Sequence, residues 1–174
     1  YDNDGDLDVL LTGSDIDNVG YSRIYRNDAG AFTDIQAGLM PMDWSTGVWG
    51  DYDGDGDLDV LLYGGNEYGW LARIYRNEAG RFVDAQAGLR AEGGGSAAWG
   101  DYDNDGDLDI LLTTMYDTRI YRNDGGHMTD THAGLPATRE PATWADYDND
   151  GDLDVLVLST TDGPSYGAPL YRND

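Results

Sequence analysis

The chain has no cysteine in its 174 residues, which excludes both a disulfide framework and a thiolate-bound metal. Lysine is also missing. All ten basic residues are arginine, an absence for which the sequence gives no physical account. Histidine occurs only twice, as His127 and His132 in one short segment, so general acid–base chemistry has little to draw on beyond the many aspartates. No apolar run approaches the roughly 18 residues that would cross a bilayer, and no secretory leader is present. Because residue 1 falls inside a repeated motif, the native N-terminus is expected to lie upstream. Positive charge is scarce: the formal net charge is −24, which argues against nucleic acid or an anionic membrane as partner.

What is abundant is aspartate in one pattern. Asp101-Tyr102-Asp103-Asn104-Asp105-Gly106-Asp107-Leu108-Asp109 recurs as Asp51 to Asp59 and as Asp146 to Asp154. A fourth copy, Tyr1 to Asp8, opens the chain without its leading Asp and supplies Asp2, Asp4, Asp6 and Asp8. These copies hold 19 of the 34 acidic residues, so the acidity is mostly that of the motif. Carboxylates at positions 1, 3, 5 and 9 with glycine at 6 suit a short loop around a hard cation that takes six to eight oxygens at about 2.3–2.6 Å. The expected ion is Ca²⁺, with three complete sites and a truncated fourth. Asp51, Asp53, Asp55 and Asp59 would bind in one copy, Asp101, Asp103, Asp105 and Asp109 in the next, and Asp146, Asp148, Asp150 and Asp154 in the last. Position 7 (Asp6, Asp57, Asp107, Asp152) would offer its backbone carbonyl and leave its side chain pointing outward.

An EF-hand begins the same way, but it needs a bidentate Glu at position 12 and flanking helices. Position 12 here is Leu62, Leu112 or Val157. The runs after each motif, such as Val60-Leu61-Leu62 and Ile110-Leu111-Leu112, read as strands buried on both faces. Each acidic loop therefore joins strand to strand.

The repeats set the fold. Asp4, Asp55, Asp105 and Asp150 mark a period near 50 residues, and Tyr-Arg-Asn recurs at Tyr25, Tyr75, Tyr121 and Tyr171. That period falls in the propeller range. One unit reads as four strands: Ser96–Gly100, Asp109–Thr113, Arg119–Arg122 and, after the turn Asn123–Gly126, His127–Thr131. The chain is thus predicted to be all-β, a run of four-stranded antiparallel propeller blades. Units fall at about 1–46, 47–95, 96–141 and 142–174, with three, four, four and three strands. That makes about 3.5 blades, part of a larger propeller or assembling into one through open edges. Trp49, Trp99 and Trp144 are expected to pack between blades.

Opposite the acidic loops, the connections from second to third strand are predicted to be long at Gly13–Ser22, Gly64–Ala72 and Ser159–Pro169 and short at Thr114–Thr118. With the linkers after Leu39, Leu89 and Leu135, that rim carries Tyr21, Trp44, Tyr68, Trp70, Tyr116 and Tyr166, which suit sugar stacking or a protein contact.

The unit Trp-Gly-Asp-Tyr-Asp-Asn-Asp-Gly-Asp-Leu-Asp, with Ile-Tyr-Arg-Asn downstream, resembles the FG-GAP/VCBS repeats of integrin α-chain propellers, a fungal sugar-binding lectin and large bacterial surface proteins. The Phe-Gly of the consensus is matched only loosely by Trp-Gly, or by Trp-Ala at Trp144, which favours the bacterial-type branch. The resemblance implies a β-propeller, normally of seven blades, with Ca²⁺ between first and second strands. It carries the metal positions onto Asp51, Asp53, Asp55, Asp57 and Asp59 and their counterparts. The expected function is a non-enzymatic, secreted or cell-surface module for adhesion or for binding a glycan or extracellular protein. The alternatives are a structural spacer or filament subunit and, less favoured, an accessory domain of a secreted hydrolase.

Overall fold

The computed structural model describes residues 1–158 and 168–173. Among them every regular element is a strand, and the chain divides into two compact units, Tyr1–Ala91 and Glu92–Asp174. The first unit holds β1 (Val9–Ser14), β2 (Gly20–Asp28) and β3 (Ala31–Asp34) in one sheet, followed by β4 (Asp43–Gly50), β5 (Asp59–Asn66), β6 (Gly69–Glu78) and β7 (Arg81–Asp84) in a second. The second unit holds β8 (Ala97–Gly100), β9 (Asp109–Thr113), β10 (Thr118–Asn123) and β11 (Met128–Asp130), then β12 (Ala142–Ala145), β13 (Asp154–Val157) and β14 (Leu170–Tyr171). All four sheets are antiparallel meanders of three, four, four and three strands, as the repeat count predicts. They are propeller-like blades.

Double burial of the second strand is plain in β5 and β9, whereas β1 leaves Val9 and Leu11 exposed. From Asp59 through Gly64 every residue of β5 is buried, as is all of β9. One core gathers Ile24, Leu39, Met42, Val60, Leu62, Tyr75 and Phe82, and the other gathers Leu111, Ile120, Ala142, Val155 and Val157. Trp49 and Trp144 each lie against the preceding blade, Trp49 stacked on Tyr1 and Trp144 on Tyr102.

The long connections foreseen in the first unit are mostly strand. Ser14 pairs with Gly20 and Asn66 with Gly69, leaving only a five-residue tip at 15–19 and a two-residue turn, Glu67-Tyr68. The physical reason lies at Gly64, where a Cβ would come within 2.6 Å of the Ser45 Cβ and 2.9 Å of the Asp43 carbonyl oxygen. Glycine there admits a close neighbouring strand and does not mark a loop. The third connection, Ser159–Pro169, falls largely outside the described residues.

Candidate metal centres

Each acidic loop is shaped by two left-handed turns. Position 6 is glycine at φ near 95° (Gly5, Gly56, Gly106 and Gly151 at 96°, 93°, 97° and 100°), beyond what a side chain tolerates. Position 4 is also left-handed, with Asn3, Asn104 and Asn149 at 59°, 59° and 61° and Gly54 at 71°. Asparagine is among the residues best suited to that region. Asn or Gly at this fixed offset is the sequence signal of the second turn.

Within the loop, main-chain N–H groups turn the carboxylates inward. Asp51 accepts from Asp55 N–H (3.1 Å) and Gly56 N–H (3.0 Å), and Asp101 accepts from Asp105 and Gly106 at 3.1 Å each. Asp59 at position 9 accepts from Tyr52 N–H and Asn77 N–H, both at 2.7 Å, and Asp109 accepts from Tyr102 (2.9 Å) and Asn123 (2.8 Å). Asp154 repeats this with Tyr147 (3.0 Å) and Asn173 (2.9 Å). The closing Asp therefore joins three strands' worth of chain besides facing the loop. Asn of Tyr-Arg-Asn completes the node: its side-chain oxygen accepts from Gly30, Gly80 or Gly126 N–H in the following turn. Tyr-Arg-Asn is thus a structural node as well as a marker of period.

Three clusters result. Carboxylate oxygens of Asp51, Asp53 and Asp59, of Asp101, Asp103 and Asp109, and of Asp146, Asp148 and Asp154 lie within 4.8 Å of one another in each set. Positions 1, 3 and 9 converge, whereas position 5 stands outside these sets. There the Oδ1 of Asp4, Asp55, Asp105 and Asp150 accepts from the position-7 N–H of Asp6, Asp57, Asp107 and Asp152 at 2.8–3.0 Å. In the first copy, Asp8 accepts from the Tyr1 nitrogen (2.5 Å) and Asn27 N–H (2.9 Å), while Asp2 accepts weakly from Asp4 N–H (3.4 Å).

Position 7 departs from expectation. Its side chains do not stand free: Asp6 accepts from Ala29 N–H and Asp107 from Gly125 N–H, both at 2.7 Å. Asp57 accepts from Asn3 Nδ2 (2.9 Å) and Asp152 from Asn104 Nδ2 (2.7 Å). Donors left exposed by left-handed turns draw these carboxylates back onto the protein.

The electrostatics ask for a cation. Burial pushes the Asp59 and Asp109 carboxyls up to about 6 against the pull of their N–H donors, and the position-3 and position-5 carboxylates add to the rise. Asp154 is held below the ordinary carboxylate range, because its two N–H donors outweigh its burial. Asp53 Oδ1 and Asp148 Oδ1 are buried and accept no hydrogen bond. An orphaned carboxylate oxygen inside a ring of carboxylates is costly unless a cation takes it, so the residues present fit a hard divalent ion. Guanidinium groups reach only the other oxygen of each carboxylate, Arg76 to Asp53 Oδ2 (3.6 Å) and Arg172 to Asp148 Oδ2 (3.0 Å).

The opposite rim is less uniform than foreseen. Trp44, Tyr68 and Tyr116 are 84%, 81% and 66% exposed, but Tyr21 lies half-buried in β2. Trp70 lies half-buried in β6 with its ring 5.9 Å from that of Tyr63. Tyr166 falls outside the described residues. His132 takes a place that two other units give to glutamine. Its N–H bonds the Asp130 carboxylate in a left-handed turn that Gln36 and Gln86 repeat with Asp34 and Asp84.

Repeated antiparallel blades whose first and second strands are joined by an aspartate loop define an all-β repeat module with candidate metal sites. The FG-GAP-like repeat matches residues 1–62, 51–112 and 101–157, and the chain belongs to that family. No curated protein matches it at a significant level.

Proposed function

We propose that this chain is a calcium-stabilised, non-enzymatic binding module of the secreted or cell-surface kind, which engages a glycan or an extracellular protein through the rim opposite its acidic loops. The supporting observation is a division of labour between the two ends of the blades. At the loop end the aspartates are spent on main-chain donors, neighbouring side chains and the cation clusters. At the other end of the first unit a cavity of about 540 Å³ opens between the tips of two hairpins and the linker joining them, bordered by Val19, Met40, Asp43, Asn66 and Tyr68. One oxygen of Asp43 is buried there without a donor, and a Cβ on Gly20 would come within 2.7 Å of it. Trp44, next in the chain, is exposed and held at a left-handed φ of 45° beside a register shift in β4. Backbone strain of about 1–3 kcal/mol at a large exposed side chain fits a presented contact residue. An unpaired acceptor beside exposed aromatic rings suits hydroxyl-bearing ligands.

Ca²⁺ fits better than Mg²⁺ because the cradle is an all-protein cage of carboxylates and carbonyls. Secretion follows from that ion, since weak calcium sites are loaded where calcium is plentiful. A glycan array and an extracellular-protein array probed in millimolar Ca²⁺ test the reading. Trp44→Ala with Tyr68→Ala should abolish whatever is captured while leaving the thermal midpoint within a few degrees. Absence of any capture, or capture indifferent to both changes, would favour the spacer alternative.

A further inference from the structure

Two threads of hydrogen bonds run from each acidic loop to the loop of the next blade within a unit. The first begins at position 4. Its left-handed backbone carries the asparagine amide out of its own loop, so that Asn3 Nδ2 reaches Asp57 Oδ1 at 2.9 Å and Asn104 Nδ2 reaches Asp152 Oδ1 at 2.7 Å. The second passes through the peptide at position 2. Tyr102 donates its N–H to Asp109, its carbonyl accepts from Asn173 Nδ2 (2.8 Å), and Asn173 N–H ends on Asp154 (2.9 Å). In the first unit the same order runs from Asp8 through Tyr1 and Asn77 Nδ2 (3.0 Å) to Asp59. The first thread thus ties the turn of one loop to a carboxylate of the next, and the second ties the closing carboxylates of both.

Resting on the reading of these loops as calcium sites, we infer that Asn3 and Asn104 are positioning residues for the cation of the following blade, and that filling one loop raises the affinity of its neighbour. Position 7 would ligate through its main-chain carbonyl, and that peptide can swing as long as its side chain is free. With the Asp152 carboxylate clamped by Asn104, the carbonyl is fixed before the ion arrives, and less ordering remains to be done on binding. A cation in the loop of Asn104 fixes Asp101, Asp103 and Asp109 and with them the turn that aims the amide. The dependence is reciprocal, as any coupling between binding sites must be. Gly54 supplies the internal contrast: the same turn at φ 71°, with no amide to offer.

The test uses the whole chain with Ca²⁺ as titrant, following the backbone amide NMR signals of Gly106 and Gly151 as separate reporters of the third and fourth loops. Asn104→Gly keeps the left-handed turn, as Gly54 does in its own loop, and removes only the amide. The Gly151 midpoint should then move to about fivefold higher Ca²⁺, the low end of typical site–site coupling, although residue 104 touches no expected first-sphere oxygen of the fourth loop. Asp103→Ala, which disables the third loop, should move it similarly, and the two changes together should do no more than either alone. Asn104→Asp, which sets two carboxylates face to face, should weaken the fourth loop beyond Asn104→Gly. Thermal melting in EDTA should be nearly the same for wild type and Asn104→Gly. A Gly151 curve that stays on the wild-type line in Asn104→Gly and Asp103→Ala overturns the coupling. Wild-type glycine signals that ignore Ca²⁺ altogether overturn the calcium reading itself, a separate and recognisable failure.

Discussion

The two compact units share a polar skeleton and differ in what fills it. Both use the Asn-to-Asp link between loops, the Asn-to-carbonyl link between blades, and the closing Asp with its two N–H donors. In the first unit, Tyr1, Trp49 and Phe82 form an aromatic trio with centroids 5.7–6.3 Å apart. In the second, Tyr102 and Trp144 stack at 5.9 Å, and beside them lies a cavity of about 360 Å³ bordered by Leu135, Val155 and Tyr171. Candidate metal sites are distributed the other way, one complete aspartate cluster in the first unit and two in the second. Register is therefore set by hydrogen bonds common to both, while cohesion leans on aromatic packing in one and, on the proposed calcium reading, would lean on cations in the other.

Chelation should expose this difference most strongly. At about 100 times its dissociation constant a bound ion adds roughly 2.7 kcal/mol per site, so the second unit stands to lose about 5 kcal/mol and the first about half that. Amide hydrogen exchange in EDTA should accelerate in β8–β13 well before β4–β7. Equal acceleration would break the comparison, and none at all would remove the metal from it.

Phe82→Ala should do the reverse. Loss of a buried aromatic ring costs about 3–5 kcal/mol, and the loss should appear in the first unit with or without Ca²⁺. Trp144→Ala should cost less than Trp49→Ala, because one side of Trp144 borders the cavity and has fewer packing contacts to forfeit. Equal penalties in calcium-free urea titrations would mean that the cavity closes in solution.

Acidity should act on both units alike. Asp59 and Asp109 have folded values near 6, above the ordinary carboxylate value near 4. Without metal, the stability they contribute is fully present below about pH 4 and is lost as pH rises through about 6. Asp154 is shifted downward by its two N–H donors, and its contribution is present above about pH 4 and is lost only in stronger acid. In EDTA the thermal midpoint should therefore fall between about pH 4.5 and 7. With Ca²⁺ it should rise over the same interval, since the ion needs the carboxylates deprotonated. Parallel slopes with and without the ion would show that Asp59 and Asp109 do not face the metal.

Much of this was legible in the chain, because the signals were local. The nine-residue aspartate motif, the apolar runs after it and the spacing of Tyr-Arg-Asn fixed the loops, the doubly buried β5 and β9 and the strand count of every sheet. What escaped depended on contacts distant in sequence. Gly64 looks like a loop residue until Ser45 is placed beside it. The position-7 aspartates look idle until Asn3 lies across from Asp57, 54 residues away. Asn77 and Asn123 look like turn residues, yet both are buried: Asn77 bonds Tyr1, Leu58 and Gly80, and Asn123 bonds Leu108 and Gly126. Composition alone carries no trace of such partners.

The smallest expected effect separates the two left-handed turns inside a single loop. Gly54 and Gly56 sit two residues apart, and neither has a neighbour within 4 Å of where a Cβ would stand. Crowding is equal, so any difference on substitution must come from the backbone. Gly54 at φ 71° lies near the left-handed region where Asn3, Asn104 and Asn149 already sit, and asparagine there also limits the unfolded chain more than glycine does. Gly54→Asn should therefore change stability by less than about 0.5 kcal/mol in either direction. Gly56 at φ 93° lies outside that region, and Gly56→Asn should cost about 1–3 kcal/mol. Urea titration of both variants in EDTA, where cation affinity plays no part, reads the two values directly. If both substitutions are equally mild, the loop relaxes freely without its ion, and the geometry shared by the two units is imposed by the cation rather than by the chain.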